Sequence, residues 1–180
     1  MLSIKCVFKG AAAAAIGVMA LSAMPDRAAA AISIGTDDPT EVAFKLGAFD
    51  SVNGRQPAAL MGAEYRFGQT FFHFRPFIGG TLTTEIAAYG YAGLGFDVAF
   101  GRHWVLTPNA AFGFYGRGTG TNLGSTVEFR TGAELDYRFD REGRLGITFH
   151  HDSNAGLSHR NPGEEEIGIV YALPLSRLMP

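Results

Sequence analysis

Residues 127–139 read VEFRTGAELDYRF, and their side chains alternate between two chemical kinds. Apolar or aromatic side chains dominate the odd-numbered positions, whereas nearly all the even-numbered positions carry a charge. This period of two predicts a β-strand, because successive side chains of a strand point to opposite faces. An apolar face opposite a charged face fits a membrane barrel, in which the apolar face meets lipid and the charged face lines a polar interior.

Seven other segments repeat the alternation more weakly, so the sequence predicts eight strands. The seven lie near residues 42–48, 61–67, 72–78, 94–100, 104–114, 145–149 and 167–173. About ten residues suffice for a tilted strand to cross a bilayer, and eight strands make the smallest common membrane barrel. The predicted fold class is therefore all-β, an eight-stranded antiparallel transmembrane β-barrel. Pro76, Pro108 and Pro174 are expected at bulges or strand ends, because proline lacks the N–H that a paired strand needs.

The N-terminal segment has the composition of a secretory signal peptide. Two lysines precede a run of small apolar residues, and the alanines at 28–30 fit the small-x-small cleavage rule. We therefore expect a signal peptide over residues 1–30, cleaved after Ala30 or Ala31, and a barrel domain over residues 31–180. A transmembrane anchor is less favoured, because the apolar run is short.

Composition excludes several classes of function. Cys6, the single cysteine, lies in the predicted signal, so the mature chain has no disulfide, thiol nucleophile or cysteine metal ligand. Removing Lys5, Lys9 and Arg27 from the 15 basic residues leaves 12, and removing Asp26 from the 17 acidic residues leaves 16. The resulting net charge of about −4 gives no basic surface for nucleic acid.

The predicted connections alternate in length. The short ones are at residues 68–69, 101–102 and 140–143, and the longer ones are at 50–56, 117–125 and 154–164. The connection at 83–87 is an exception, because it is short but falls where the alternation calls for a longer loop. In bacterial outer-membrane barrels, short turns face the periplasm and longer loops face the exterior. The seventh strand is therefore expected to run outward and to place its end at the outer leaflet.

Three polar residues at this end share one face by parity. Continuing by twos from the lipid-facing Phe149 gives His151 and Ser153, and stepping back by two from Ile167 gives Glu165. Each alone would fit a polar residue at the membrane interface. Together on one face they form a serine, histidine and acid combination, the arrangement that activates a hydroxyl nucleophile.

The same region resembles a known family in two short motifs. These are HDSNA at residues 151–155 and NPGEE at residues 161–165. They resemble the His-x-Ser-Asn-Ala and Asn-x-Gly-x-Glu segments of outer-membrane lipid A 3-O-deacylases of the PagL type, also known as acyloxyacyl hydrolases. The resemblance covers about residues 147–173, and elsewhere only the architecture agrees. It implies Ser153 as the nucleophile, His151 as the base, Glu165 as the orienting acid, and Asn161 and Asn154 as candidate oxyanion-hole donors.

Other polar residues are expected to serve structure. His150 has inward parity, and His73 with Arg75 and Glu64 is expected in an interior ion-pair network. Adjacent His150 and His151 point opposite ways on a strand, so no metal site is expected.

The sequence thus predicts an enzyme that hydrolyses an ester-linked acyl chain of lipid A without a cofactor. Its partners would be lipopolysaccharide and outer-membrane lipids, and its active site would lie at the outer leaflet. Two alternatives stay open at this point. One is a non-catalytic small barrel, an adhesin or structural protein of the OmpA or OmpX type, and the other is a soluble lipid-binding barrel of the lipocalin type.

Overall fold

Ten β-strands form the framework of the described part of the chain. The computed structural model describes residues 32–35, 38–52, 54–139 and 143–179, so the predicted signal peptide lies outside the described residues. The strands are β1 (Ile32–Ile34), β2 (Glu41–Phe49), β3 (Ala58–Arg66), β4 (Arg75–Thr83), β5 (Ala88–Gly95), β6 (Val98–Phe100), β7 (Trp104–Gly116), β8 (Val127–Phe139), β9 (Gly143–Ser153) and β10 (Glu164–Pro174), and a short helix, α1 (Leu175–Leu178), follows. No helix in the described part of the chain is long and apolar enough to cross a membrane.

The eight long strands close into an antiparallel barrel. They follow one another in the order β2, β3, β4, β5, β7, β8, β9 and β10, and β10 pairs back onto β2. Closure pairs each of the eight long strands on both sides, which a lipid environment demands. The short strand β6 continues β5 after a break and pairs with β7 and β1. The predicted eight-stranded barrel is confirmed.

Strand β8 has the predicted alternation of burial. Glu128, Arg130 and Asp136 are fully buried inside the barrel, whereas Phe129 and Leu135 are exposed on its outer surface. The same pattern recurs along β9 and β10. The barrel therefore presents an apolar outer surface and a charged interior, the inverse of a soluble lipid-binding barrel.

Ion pairs fill the interior of the barrel. The Arg66 guanidinium contacts Glu64 at 2.9 Å and Glu134 at 2.7 Å, and Lys45 also pairs with Glu64. Beside Arg66, at the same end of the barrel, Arg144 lies 2.8 Å from Glu41. Because side chains fill the lumen of so small a barrel, a role in transport is not supported.

The predicted start of the third of the eight strands, which is β4 in the structure, is wrong. Phe72 and His73 have φ of 51° and 71°, within a tight turn in which Phe71 and Phe74 are bridged, and β4 begins only at Arg75. The connection after β3 therefore spans residues 67–74 rather than two residues. His73 is exposed in this turn and takes no part in the interior network, whereas Arg75 does.

The three prolines lie where a missing N–H is tolerated. Pro76 is the second residue of β4, and Pro174 is the last residue of β10. Pro108 lies within β7, opposite the break between β5 and β6, and its carbonyl oxygen accepts a hydrogen bond from Phe96 N–H at 3.2 Å. This agrees with the expectation of strand ends and irregular pairing.

The connections between strands define the two ends of the barrel. We call the end with the β2–β3, β4–β5, β7–β8 and β9–β10 connections the loop end, and the opposite end the turn end. Strand β9 runs toward the loop end, so the residues of the two sequence motifs lie there.

The alternation on β8 is directly testable in a bilayer. Spin labels placed in turn at residues 127–138 should show high collision rates with a lipid-soluble quencher at positions such as Phe129 and Leu135, and low rates at Glu128 and Asp136. Electron paramagnetic resonance measures these rates. A uniform or reversed pattern would contradict the membrane-barrel assignment.

Candidate active site

His151 and Glu165 form a pair on the outer surface at the loop end. They are directly opposite one another in the β9–β10 register, and His151 Nδ1 lies 3.3 Å from Glu165 Oε1. The side chain of His151 is 44% exposed, and that of Glu165 is 18% exposed. The carboxylate is thus placed to fix the orientation of the imidazole and to leave Nε2 available for proton transfer.

Ser153 lies two residues after His151, on the same face of β9, and is its last residue. It is opposite Phe129 of β8 and is half-buried. Within the described residues no hydrogen bond to Ser153 Oγ is formed. The structure therefore brings all three predicted residues to one face, with the histidine and acid paired and the hydroxyl unengaged. Contacts of this kind are often loose before substrate binds.

Gly163 packs against the imidazole of His151. Its φ is +63°, in the left-handed region, and a Cβ at this position would lie 2.7 Å from His151 Cε1. Only glycine combines this backbone conformation with such a close approach. The NPGEE motif at residues 161–165 thus places both the Glu165 carboxylate and the Gly163 backbone against the imidazole of His151.

The two candidate oxyanion-hole residues have different surroundings. Asn161 Oδ1 accepts a hydrogen bond from Asn154 N–H at 3.0 Å, and in the described chain Asn161 Nδ2 has no acceptor. Asn154 is fully buried, and its Nδ2 donates to Leu123 O and Arg160 O at 2.9 and 2.8 Å. Both side-chain N–H groups of Asn154 are therefore engaged in holding the loop, whereas the amide N–H₂ of Asn161 stays available to a ligand.

The β2–β3 connection holds the segment that carries these residues, a contact that the sequence analysis missed. Arg55 donates to Gly163 O at 2.8 Å and to Pro162 O at 3.2 Å. Ser51 donates to Glu165 O from its backbone N–H at 3.0 Å and from its hydroxyl at 2.9 Å. Partners so distant along the chain leave no signal in one sequence.

The remaining polar residues of the motif region lie away from this face. His150 is buried inside the barrel, where its Nδ1 accepts from Arg130 and its Nε2 donates to Asn109. His159 is exposed in the loop, and Ser158 Oγ accepts from Arg160 N–H at 3.4 Å. The inward position predicted for His150 is thus confirmed.

An apolar groove of about 500 Å³ lies on the outer surface beside the polar face. Phe149 and Ile167, which line it, are two residues from His151 and Glu165 along their strands. Other lining side chains are Leu46, Leu135, Ile147 and Ile169. The groove offers apolar contact to a chain-like ligand whose polar end would reach the serine. Such an arrangement suits nucleophilic attack on an ester of a lipid.

The chain is similar to known proteins both in sequence pattern and in fold. The family model described as Lipid A 3-O-deacylase (PagL) matches residues 59–174. The crystal structure of the outer membrane enzyme PagL is similar at 19% identity and a TM-score of 0.62, covering 74% of this chain and 99% of that chain. At that identity the likeness concerns the fold.

Two further solved structures have weaker likeness. A de novo designed transmembrane β-barrel has 16% identity and a TM-score of 0.49, covering 76% of this chain and 98% of its own. The Yersinia pestis outer membrane protein Ail has 11% identity and a TM-score of 0.39, covering 74% and 99%. The curated proteins include no match.

Replacing Gly163 should displace the imidazole of His151. Gly163→Ala combines an unfavourable φ with a Cβ at 2.7 Å from Cε1, so the ring has to move. The nitrogen resonances of ¹⁵N-histidine-labelled protein in detergent micelles would report a changed His151 environment. Gly156→Ala is the matched control, because its φ of +82° gives similar strain but its Cβ meets nothing within 4 Å. Equal shifts in both variants would contradict the packing role.

Proposed function

Because this chain belongs to the lipid A 3-O-deacylase (PagL) family of bacterial outer-membrane β-barrels, we propose that it hydrolyses the ester-linked acyl chain at the 3-position of lipid A. The observation that carries the proposal is the pairing of His151 with Glu165 on the same outward face as Ser153. A serine, a histidine and an acid grouped on a lipid-facing surface suit a substrate that approaches through the membrane plane.

In the proposed mechanism, Ser153 is the nucleophile and His151 the general base. Nε2 of His151 takes the proton of the Ser153 hydroxyl as Oγ attacks the ester carbonyl carbon. The Glu165 carboxylate holds Nδ1–H and stabilises the imidazolium that forms. Asn161 Nδ2 donates to the developing oxyanion, and this role falls to Asn161 rather than Asn154 because both side-chain N–H groups of Asn154 are engaged.

The tetrahedral intermediate then collapses and releases the sugar hydroxyl, which receives the proton from His151. The acyl chain stays bound to Ser153 Oγ as an ester. A water molecule, deprotonated by His151, attacks this acyl-enzyme, and the free fatty acid leaves as the proton returns to Ser153. Every proton passes through one imidazole, so the chemistry requires no metal or organic cofactor.

The apolar groove and the loops would hold opposite parts of the substrate. The acyl chain would lie along the groove that Phe149 and Ile167 line. A polar cavity of about 440 Å³ at the loop end is lined by Arg55, Arg117 and Arg160, and its three guanidinium groups suit the phosphates of a glycolipid head group. This arrangement favours a loop end that faces the exterior and an active site at the outer leaflet.

Variants of the three central residues test the reaction. Ser153→Ala and His151→Ala should each reduce deacylation by at least about 1,000-fold, and the double variant should be little worse, because the residues act as one unit. The loss of deacylation in Glu165→Ala should be roughly ten- to a hundredfold smaller than in these two variants, since the acid only orients the base. Mass spectrometry of lipid A incubated with refolded protein measures the missing acyl chain.

Ser158→Ala is the matched control for these variants. Its hydroxyl lies in the β9–β10 loop, where it accepts a hydrogen bond from Arg160 N–H, so full deacylation is expected. An inactive Ser158→Ala with an active Ser153→Ala would overturn the assignment of the nucleophile. Lipid A left intact by the wild-type protein would favour a non-catalytic barrel instead.

The arginine-lined cavity can be tested through substrate affinity. Arg117 is exposed at the loop end, so Arg117→Ala should raise KM about tenfold with kcat nearly unchanged, as the loss of one charge-assisted hydrogen bond predicts. Steady-state deacylation of detergent-dispersed lipid A measures both constants. Arg102→Ala, in the turn between β6 and β7 at the turn end, should leave KM unchanged; an equal effect there would rule out a specific phosphate site.

A further inference from the structure

Three interior carboxylates converge directly behind the candidate active site. Asp152 of β9 is opposite Glu164 of β10, and Glu166 follows two residues later on the same inward face. One carboxylate oxygen from each residue lies within 4.8 Å of the other two. All three residues are at least 97% buried, so water screens the mutual repulsion of their carboxylates weakly.

The charges around these carboxylates do not balance. Asp50 and Glu128, also fully buried, extend the acidic region to five carboxylates at the loop end. Among the described residues, Arg130 is the one buried cation in ion-pair contact with them, through Asp152 at 3.5 Å and through Glu166. Elsewhere in the interior, three acids pair closely with Lys45, Arg66, Arg75 and Arg144, namely Glu41, Glu64 and Glu134.

The hydrogen bonding of the three carboxylates leaves one acceptor open on each. Asp152 Oδ2 and Glu166 Oε2 accept from Arg130, and Glu164 Oε2 accepts from Asp50 N–H at 3.0 Å. The other oxygens, Asp152 Oδ1, Glu164 Oε1 and Glu166 Oε1, are buried without a hydrogen-bond partner, as are both oxygens of Glu128. Buried carboxylate oxygens are costly unless they are hydrogen-bonded or coordinate a metal.

We propose that Asp152, Glu164 and Glu166 bind a calcium ion inside the loop end of the barrel. Its two positive charges, with the charge of Arg130, would neutralise the three carboxylates. Calcium takes oxygen ligands at about 2.3–2.6 Å, so two ligands of one ion can lie nearly 5 Å apart, whereas magnesium requires closer oxygens. The three oxygens lie within 4.8 Å of one another, as ligands of one such ion would. Calcium is preferred because its flexible coordination suits several protein carboxylates, whereas magnesium usually keeps several waters and is bound by only one or two. Glu128, both of whose buried oxygens lack a hydrogen-bond partner among the described residues, is the candidate for a further ligand.

The calcium ion would hold the strands that carry the catalytic residues. Asp152 lies between His151 and Ser153 in sequence, and Glu164 and Glu166 flank Glu165. Because successive side chains alternate, each catalytic residue on the outside is next to an acidic residue on the inside. A cation that ties β9 to β10 on the inner face would fix the backbone under His151 and Glu165. The ion takes no part in the reaction itself.

The sequence predicted no metal site on two grounds, the histidine spacing and the absence of cysteine from the mature chain, and neither concerns carboxylates. The three acids become a cluster only through the β9–β10 register, which pairs Glu164 with Asp152. Their parity also places them inside the barrel, where carboxylates without cations are unfavourable.

Terbium luminescence of the full-length mature protein tests the site. Protein refolded in detergent without lipid A is stripped with a chelator and titrated with Tb³⁺, which replaces Ca²⁺ at oxygen sites. Tyr91, whose ring centroid lies 4.9 Å from the Arg130 guanidinium carbon, is placed to sensitise the emission. One saturable site that Ca²⁺ displaces is expected. Added Ca²⁺ should also raise Tm, by about 5–10 °C at a hundredfold excess over Kd.

Two variants distinguish binding at this site from an effect of removing any buried carboxylate. Glu164→Gln should abolish the saturable Tb³⁺ signal and the Ca²⁺-dependent rise in Tm. Asp136→Asn is the matched control. Asp136 is also fully buried and neither of its oxygens is hydrogen-bonded within the described chain, but it lies toward the turn end, 3.8 Å from Arg144 Nε, and the variant should behave as the wild type.

The wild-type titration decides the question even if Glu164→Gln does not fold. Absence of saturable Tb³⁺ binding, or a Tm that acidification raises but Ca²⁺ does not, would mean that the cluster holds protons and would overturn the proposal. Equal loss of binding in Asp136→Asn would overturn it as well. Because binding is measured without substrate, either result leaves the proposed deacylase activity to be tested separately.

Discussion

Backbone pairing in a closed barrel is the constraint on which this structure depends. A chain that crosses lipid has to satisfy every backbone N–H and C=O internally, and the antiparallel strands do so around a ring that β10 and β2 close. Once the ring is closed, each residue has only two directions to face. Apolar residues turn to lipid, and charged residues turn to a lumen too narrow for bulk water. The interior charges then have to pair with one another, as Arg66 does with Glu64 and Glu134.

The same constraint explains how one hairpin can serve two purposes. Along the ends of β9 and β10, outward residues form the proposed catalytic group and inward residues form the acidic cluster. A shift of one residue along a strand turns every side chain to the opposite face. Such a shift would therefore place the acidic cluster outside the barrel and the proposed catalytic group inside it. The interior contacts thereby stabilise the geometry of the outer surface. Arg55 and Ser51 add a second support from the neighbouring connection.

The sequence predicted what depends on local periodicity. Alternation over residues 127–139 and the parity of His151, Ser153 and Glu165 rest on neighbours along one strand, and both agree with the structure. The error at Phe72 and His73 arose because apolar alternation continued into a turn, where positive φ ends the strand. The contacts of Gly163 with His151 and of Arg55 with Gly163 depend on how distant segments meet. Strand register and loop packing determine them, and no local pattern encodes either.

Chemical labelling of the serine tests the central claim most directly, since it reads out activation of the hydroxyl itself. A fluorophosphonate with an alkyl tail should react with the refolded protein in detergent, and peptide mass spectrometry should locate one adduct on Ser153. His151→Ala should remain unlabelled, because the hydroxyl then lacks its base. No adduct on the wild type, or an adduct at Ser158 or another serine, would contradict a lipid-facing Ser153 activated by His151 and Glu165.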